Sequence, residues 1–281
     1  MSNPSYAEWI RTLEADDRAV VVVEHPQPAI AVVRMQDPEN MNALSGVLTV
    51  QLHRALAGVM ADPAVRVVVL TGTEDVFSVG GDWRLMRDRA HTYAERDEGT
   101  TGLWQWIRYQ FGGIARLIVQ SDKVVVAAIC GPAAGVALAW ALNSDLIVAA
   151  EDARLVTAFG RIGLVPEVGT NWALTRRLGY ARAFELFVTG KILSGTEARD
   201  LGLINAAVAR QSVMSVAQQW CESVCALPAH VVAMTKPLMR GAADMSWHHA
   251  ILAEEFAEPN TFTTRAHQDS VNAFLARSAR E

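Results

Sequence analysis

Apolar positions recur along the chain in two patterns, and the alternation of these patterns predicts the fold class. Unbroken apolar runs of strand length occupy Val67–Thr71, Val124–Ile129 and Leu146–Ala150, and apolar positions at helical spacing separate each run from the next. Strands that are apolar along their whole length are typical of a sheet that is buried between helices. The sequence therefore predicts an α/β protein.

The N-terminal part of the chain predicts a helix, a pair of strands and a second helix. Residues 6–16 form an amphipathic helix candidate. Two β-branched runs, residues 20–24 and 29–35, follow it with a proline-containing turn between them, which indicates a hairpin or a paired strand edge. Ser45 is placed to cap a helix over residues 45–60, where the apolar positions again follow helical spacing.

The last quarter of the chain has a different pattern. From about Val213 the strand-like runs stop and helical spacing continues to the end, with breaks predicted at residues 226–228 and 258–260. We therefore expect an α/β core over residues 1–208, which would carry the functional site, and a helical region over residues 209–281.

Composition and charge narrow the classes of function. The 281 residues are 51% apolar and 20% charged, which is typical of a soluble globular protein, and the net charge of −5 gives no basic surface for a nucleic acid. The N-terminus is polar, and no apolar stretch reaches the ~20 residues of a membrane span. These features predict a cytoplasmic protein that binds neither nucleic acid nor membrane.

The cysteines and histidines do not follow a metal-site pattern. Cys221 and Cys225 lie four positions apart in a predicted helix, where packing is favoured over a disulfide or a metal pair. The adjacent His248 and His249 lie in the helical region without carboxylates at metal-ligand spacing. We therefore expect no metal.

Two glycine-containing segments lead from predicted strands into predicted helices. In residues 77–83, the pair Gly80-Gly81 permits a backbone turn that would point the amide of Gly81 into a cleft. In residues 127–139, the helix that begins near Val136 presents amides without intrahelical partners at the positive end of its dipole. Two amides that converge on one oxygen stabilise an enolate. On the residues alone, a turn of either kind is more simply explained as a connection between a strand and a helix.

Four segments, in this order along the chain, resemble the motifs of the crotonase family, the enoyl-CoA hydratases and isomerases. They are Met41-Asn42-Ala43-Leu44-Ser45, residues 77–83, residues 127–145, and Gly163-Leu164-Val165-Pro166 with the helix after it. The resemblance extends from about Val20 to Ala207 and is weaker in the C-terminal helices. It favours the enolate-binding interpretation of the two glycine turns.

The resemblance implies a fold and a set of site residues. The fold would be a spiral of repeated ββα units, with C-terminal helices that assemble a homotrimer or a dimer of trimers. The substrate would be an acyl-CoA thioester, with no separate cofactor. The oxyanion donors would be the amides of Gly81 and Val136, where valine replaces the usual glycine and adds bulk. The positions that match the CoA path are Asn42, Ala43, Leu44, Asp82 and Trp83.

The chain departs from the hydratases of this family at two positions. Those enzymes use one glutamate four residues after the glycine that matches Gly135, and another four residues before the glycine that matches Gly163. Here the two positions are Ala139 and Phe159. Hydration needs one group to orient water and another to manage the α-proton, so we do not expect an efficient hydratase.

A different acid, Glu167, directly precedes the predicted helix Thr170–Leu178. Its segment resembles that of the single-acid isomerases of the family, whereas the dienoyl-CoA isomerases need a second acid at the place of Phe159. One base suffices for a 1,3-shift of a double bond. On the residues alone, Glu167 is equally a helix N-terminal acid that the dipole stabilises. Apolar neighbours would raise its pKa and the helix terminus would lower it.

With the resemblance, these features predict an acyl-CoA isomerase of fatty-acid or lipid metabolism, in which Glu167 moves a proton between the α and γ carbons of a thioester dienolate. Three alternatives stay open. The first is a hydrolase or carbon-carbon lyase of a β-keto or cyclic acyl-CoA, in which Glu167 would activate water. The second is a hydratase-like protein of weak activity. The third is an acyl-CoA binding protein without activity.

The acyl group itself is left open by the sequence. Aromatic residues cluster in the segment that precedes the second predicted strand of the core, and they are Trp104, Trp106, Tyr109 and Phe111. They predict either a helix that faces the core or an aromatic wall over a bound apolar or cyclic group.

Overall fold

A mixed sheet of six strands forms the centre of the fold. The computed structural model describes residues 5–94 and 101–278. Its strands, in chain order, are β1 (Val21–Gln27), β2 (Ile30–Met35), β3 (Val67–Thr71), β4 (Val124–Ile129), β5 (Ala133–Ala134), β6 (Leu146–Ala150), β7 (Arg154–Val156), β8 (Ile192–Ser194) and β9 (Ala206–Val208). The large sheet has the order β1-β2-β3-β4-β6-β9, with β1 antiparallel to β2 and the other pairs parallel. The α/β prediction is therefore confirmed.

The helices surround this sheet and continue to the C-terminus. In chain order they are α1 (Tyr6–Glu14), α2 (Gly46–Ala61), α3 (Trp83–Ala94), α4 (Thr101–Trp106), α5 (Gly112–Gln120), α6 (Gly135–Asn143), α7 (Thr170–Leu178), α8 (Tyr180–Thr189), α9 (Gly195–Asp200), α10 (Val213–Ala226), α11 (Ala229–Ala242), α12 (Trp247–Phe262) and α13 (Arg265–Ser278). One turn of π-helix, Ile107–Phe111, joins α4 to α5. Ser45 caps α2 as predicted, because its hydroxyl accepts a hydrogen bond from the amide of Leu48.

The three central strands have the bounds that the apolar runs predict. All residues of β3 and β4 are buried, and β6 is buried from its second residue onward. A second, small sheet of order β5-β7-β8 lies beside the large one and was not predicted. Its strands are two or three residues long, too short to show a period.

The N-terminal helix is held on the core. Ser5 and Glu8 form a capping box at the start of α1, in which the side chain of each residue accepts a hydrogen bond from the backbone amide of the other. Leu13 packs against α2 at Gly46, where an added Cβ would lie 2.8 Å from the Leu13 side chain. The buried face of α1 carries Trp9, which belongs to the hydrophobic core.

Buried ion pairs attach the C-terminal helices to the sheet. The carboxylate of Asp145 accepts hydrogen bonds from the amide of Val125 in β4 at 2.8 Å and from the guanidinium of Arg240 in α11 at 2.7 Å. The Nζ of Lys236 lies 2.9 Å from the same carboxylate. Removing one partner from such a buried cluster is costly, so Asp145 fixes α11 to the core.

The helical region begins with a helix that packs on the sheet. Val213, Ala217 and Cys221 of α10 are fully buried, and α10 contacts β3, β4 and β6. The division at residue 208 stays a prediction. In contrast, α12 and α13 expose large apolar side chains, including Trp247, Phe256 and Phe274. Within the described part of the chain, no helix is both long and apolar enough to cross a membrane.

The predicted break at residues 258–260 was wrong. The helix α12 continues through Pro259 and ends at Phe262. A proline removes one backbone donor and crowds the carbonyl four residues earlier, which is why the sequence predicts a break there. The actual break before α12 comes at Ser246, whose hydroxyl caps the helix by accepting from the amide of His249 at 3.3 Å.

Candidate active site

A cavity of about 330 Å³ lies where six parts of the chain meet. Its lining comes from α1, Leu44 in the loop before α2, the first turn of α3 with the loop that leads into it, the aromatic segment around the π-helical turn, the start of α6, and residues 158–167. The walls are mostly apolar. Among the described residues that line the cavity, only Asp82 and Glu167 carry a carboxyl group.

The two glycine turns lie against each other at this cavity. The amides of Phe77 and Ser78 both donate to the carbonyl of Pro132, at 3.1 and 3.0 Å, and the amide of Ala134 donates back to the carbonyl of Ser78 at 3.0 Å. These bonds join the loop after β3 to the loop before α6. The two segments that the sequence singled out therefore form one structural unit.

Gly80 allows this close approach. Its φ is +84°, in the left-handed region that favours glycine. An added Cβ would lie 2.7 Å from the carbonyl oxygen of Ala134, which is closer than any ordinary contact. Any other residue at Gly80 would push the two loops apart.

The amides of Gly81 and Val136 are free to bind a ligand. Both residues line the cavity. Within the described part of the chain, neither amide donates a hydrogen bond to another residue. Val136 is the second residue of α6, so its amide also lies at the positive end of the helix dipole. A carbonyl oxygen held between two such donors would be polarised toward an enolate.

Hydrogen bonds hold the backbone carbonyls of Glu167 and of the residue after it. The carbonyl of Glu167 accepts from the amide and the hydroxyl of Thr170, at 3.0 and 2.6 Å, as α7 begins. The buried amide side chain of Asn143, the last residue of α6, donates to the carbonyl of Val168 at 2.8 Å. The helix that carries the Val136 amide therefore also positions the segment of the acid. Sequence reasoning missed Asn143, which no motif distinguishes.

Burial controls the titration of Glu167. The side chain is half-buried at the apolar cavity, and this desolvation raises its pKa to about 7. Among the described residues, no hydrogen bond or ion pair reaches its carboxylate to offset that effect. The sequence left the balance between burial and the helix terminus open, and in the structure burial decides it.

Asp82 is held in a structural role. Its Oδ1 accepts from the amides of Arg84 at 2.8 Å and Leu85 at 3.3 Å, which caps the N-terminus of α3. Ala139 and Phe159, which stand at the places of the two hydratase glutamates, are buried apolar residues. Glu167 is therefore the one lining carboxylate that the described residues leave without a structural partner.

The expected CoA-path residues divide into two groups. Leu44, Asp82 and Trp83 line the cavity, and Trp83 is 68% exposed. Asn42 and Ala43 are not among the lining residues. The buried side chain of Asn42 accepts from the amide of Asp37 at 2.7 Å and donates to the carbonyl of Phe77 at 3.0 Å, so it braces the first glycine turn.

The aromatic segment divides between the core and the surface, and an aromatic wall over a bound group stays a prediction. Trp106 and Phe111 line the cavity while they are also buried in the core. Trp104 and Tyr109 instead lie at the surface, with their ring centroids 6.1 Å apart. Sequence reasoning missed Trp9, which lines the cavity from α1. The π-helical turn, closed by the bond from the amide of Gly112 to the carbonyl of Ile107, was also not predicted.

Comparisons with known proteins match nearly the whole chain. A model of the enoyl-CoA hydratase/isomerase family matches residues 25–280. The 1,2-epoxyphenylacetyl-CoA isomerase of Escherichia coli (strain K12) is 26% identical over 260 residues, which cover 91% of this chain and 95% of that protein. A Bacillus subtilis (strain 168) protein named as an enoyl-CoA hydratase/isomerase is 30% identical over 249 residues, which cover 89% and 93%.

A solved structure shows the same fold. The crystal structure of an enoyl-CoA hydratase/isomerase from Cupriavidus metallidurans CH34 superimposes with a TM-score of 0.83 at 26% identity. The match covers 93% of this chain and 95% of that one. It includes the helical C-terminal region as well as the sheet.

Proposed function

Because the chain belongs to the enoyl-CoA hydratase/isomerase family, the crotonase family, we propose that it is an acyl-CoA isomerase that shifts a double bond through a thioester enolate. One observation carries the proposal. A half-buried carboxylate that no described residue hydrogen-bonds, that of Glu167, shares the cavity with the free amides of Gly81 and Val136. The two glutamates on which the hydratases depend are replaced by Ala139 and Phe159.

The proposed reaction begins with a 3-enoyl-CoA thioester in the cavity. Its carbonyl oxygen accepts hydrogen bonds from the amides of Gly81 and Val136, which stabilise the negative charge that develops there. Glu167 removes a proton from the α carbon, and the electron pair delocalises into a dienolate. The same proton then returns from Glu167 to the γ carbon, so that the double bond moves from the 3 to the 2 position and no atom is gained or lost.

The raised pKa suits Glu167 to both halves of this reaction. A carboxylate with an ordinary pKa is a weak base, whereas one with a pKa of about 7 takes up a proton more readily and is still half ionised near neutral pH. The apolar walls also exclude water that would exchange with the transferred proton. This chemistry needs no metal or redox cofactor.

The CoA portion of the substrate would enter along Leu44, Asp82 and Trp83. Leu44 and Trp83 offer apolar surface to the pantetheine chain, and the exposed ring of Trp83 marks the entrance. Asn42 and Ala43 would support this path through the backbone of the loop, since the Asn42 side chain is already fully engaged.

We also propose that the protein works as a homotrimer or a dimer of trimers. The support is the apolar surface of α12 and α13, on which Trp247 and Phe256 are 77% and 79% exposed. Such a surface is costly in water and is typical of a face that another subunit covers.

Product analysis distinguishes isomerase from the alternative activities. The protein is incubated with a 3-enoyl-CoA, and the products are analysed by mass spectrometry and by the absorbance of the conjugated thioester. The isomerase predicts a 2-enoyl-CoA of unchanged mass. A product heavier by one water would indicate a hydratase, and free CoA or a shortened acyl chain from a β-keto substrate would indicate a hydrolase or a lyase. Binding without any product would indicate an inactive acyl-CoA binding protein.

A further inference from the structure

The N-terminal helix contributes a wall of the cavity. Trp9 of α1 lines the cavity and is 7% exposed. The helix is held in place independently of this contact, because Leu13 packs on α2 and the hydroxyl of Tyr6 accepts a hydrogen bond from the side chain of Gln110 at 3.2 Å. The position of Trp9 is therefore fixed by the fold and does not depend on a bound ligand.

Trp9 is the last member of a row of aromatic rings. Its ring centroid lies 4.4 Å from that of Trp106, which lies 5.6 Å from that of Phe111, which in turn lies 5.9 Å from that of Trp140. The indole of Trp140 donates to the carbonyl of Phe111 at 3.1 Å. Trp140 lies one turn after Val136 on α6. The row therefore leads from the helix with the Val136 amide to α1, and Trp9 closes its far end.

The chemistry of this row favours a compact apolar acyl group. Trp9, Trp106, Ile107 and Phe111 present hydrocarbon and aromatic surface to the cavity. The bulky indole of Trp9, which ends the row, sets a fixed limit on the space beside it in the cavity, because interiors are close-packed and rings of this size move little. The cavity volume of about 330 Å³ is also at the small end of the range for ligand pockets.

We propose that Trp9 is the specificity-determining residue that closes the acyl end of the cavity and limits the length of the acyl chain. The inference rests on the proposed function, since it takes an acyl-CoA thioester as the ligand. A side chain from the N-terminal helix would thus select substrates at a distance from Glu167 and the two amides.

Binding of unreactive esters tests this inference separately from catalysis. Saturated butanoyl-, hexanoyl-, octanoyl-, decanoyl- and phenylacetyl-CoA are titrated calorimetrically into the wild-type protein, into Trp9→Ala and into the matched control Ile10→Ala. Ile10 is a partly buried apolar residue of the same helix and does not line the cavity. We expect Trp9→Ala to raise the affinity for decanoyl-CoA relative to butanoyl-CoA at least about tenfold, and Ile10→Ala to leave that ratio unchanged.

The possible results separate the role of Trp9 from the proposed function. If Trp9→Ala changes the affinity for all esters by the same factor, or if Ile10→Ala shifts the ratio as much, Trp9 is only a packing residue and the inference is wrong. If the wild-type protein binds none of the esters, the proposed function itself is wrong. Should Trp9→Ala fail to fold by circular dichroism, Trp9→Phe keeps an aromatic ring in the row, and a smaller shift in the same direction is expected.

Discussion

At the scale of single residues, the chemistry of the cavity depends on what surrounds Glu167. The apolar walls raise its pKa to about 7, and no cation among the described residues pairs with it. The nearby Asp82 shows the opposite case, because two backbone amides hold its carboxylate in a helix cap. Two acids line one cavity, and their different partners leave one of them available for proton transfer.

The raised pKa predicts the pH dependence of turnover. The base is active when Glu167 is ionised, so kcat/KM for a 3-enoyl-CoA should rise with pH through an apparent pKa of about 7 and then level off. Initial rates in buffers from about pH 5.5 to about pH 9 measure this pH dependence of kcat/KM. A rate that is already constant above pH 6 would mean that Glu167 has an ordinary pKa.

The same shift predicts a pH dependence of stability with a definite sign. The ordinary pKa of the group is 4.5 and the folded value is about 7, so between these values the folded state binds more protons than the unfolded state. The stabilising contribution is complete below pH 4.5 and is lost as the pH rises through 7. The loss is on the order of 1 to 3 kcal/mol, since the side chain is only partly buried.

The variant Glu167→Gln isolates this contribution. Urea unfolding of both proteins at several pH values should show that the variant gains stability relative to the wild-type protein as the pH rises from 5 to 8. Other groups titrate equally in both proteins, so the difference between the two curves reports Glu167 alone. Parallel curves would contradict the raised pKa.

At the scale of elements, the sequence predicts those parts of the fold whose signal is local and continuous. The bounds of β3 and β4 follow from apolar runs that are buried along their whole length, and Ser45 marks the start of α2. The small sheet and the π-helical turn have no such signal, because their segments are too short to show a period. Pro259 gives a misleading local signal, since α12 continues through it.

The candidate site was predictable to a similar extent. The resemblance selected Gly81, Val136 and Glu167, and the structure brings all three to one cavity. It also selected Asn42, whose side chain braces a turn instead. The sequence did not predict that Trp9 lines the cavity, because this position depends on how α1 packs against distant parts of the chain. The pKa of Glu167 likewise depends on burial that only the fold defines.

A substitution at Gly80 tests the contact between the two glycine turns. Gly80→Ala places a Cβ 2.7 Å from the carbonyl oxygen of Ala134 at a φ of +84°. We expect a loss of about 2 kcal/mol of stability and at least about a tenfold loss of turnover, because the Gly81 amide moves. Urea unfolding and steady-state kinetics measure the two effects.

Gly202→Ala is the matched control for this substitution. Gly202 has a similar φ of +77°, but an added Cβ would meet no atom within 4 Å. Backbone strain should therefore lower the stability of Gly202→Ala by about 1 kcal/mol, and the variant should keep its turnover. Equal losses of turnover in the two variants would mean that the contact with Ala134 has no catalytic importance.

At the scale of the whole molecule, the exposed apolar faces of α12 and α13 predict an assembly. Light scattering of the eluting protein should give the mass of three or six chains. Phe256→Asp should reduce that mass, because a charge would replace an apolar side chain that is 79% exposed in the single chain. Ser223→Asp, an exposed position on α10, is the control for added charge and should keep the assembly. A wild-type protein that elutes as a single chain would refute the proposed oligomer.

The whole fold brings one acid and two free amides to the same cavity. The turnover of Glu167→Gln on a 3-enoyl-CoA tests the role of this acid, with calorimetric binding of a saturated acyl-CoA as the control for an intact site. We expect kcat to fall at least about a hundredfold while the affinity for the saturated ester changes little. A variant that binds the ester normally and retains full turnover would contradict the assignment of Glu167 as the proton shuttle.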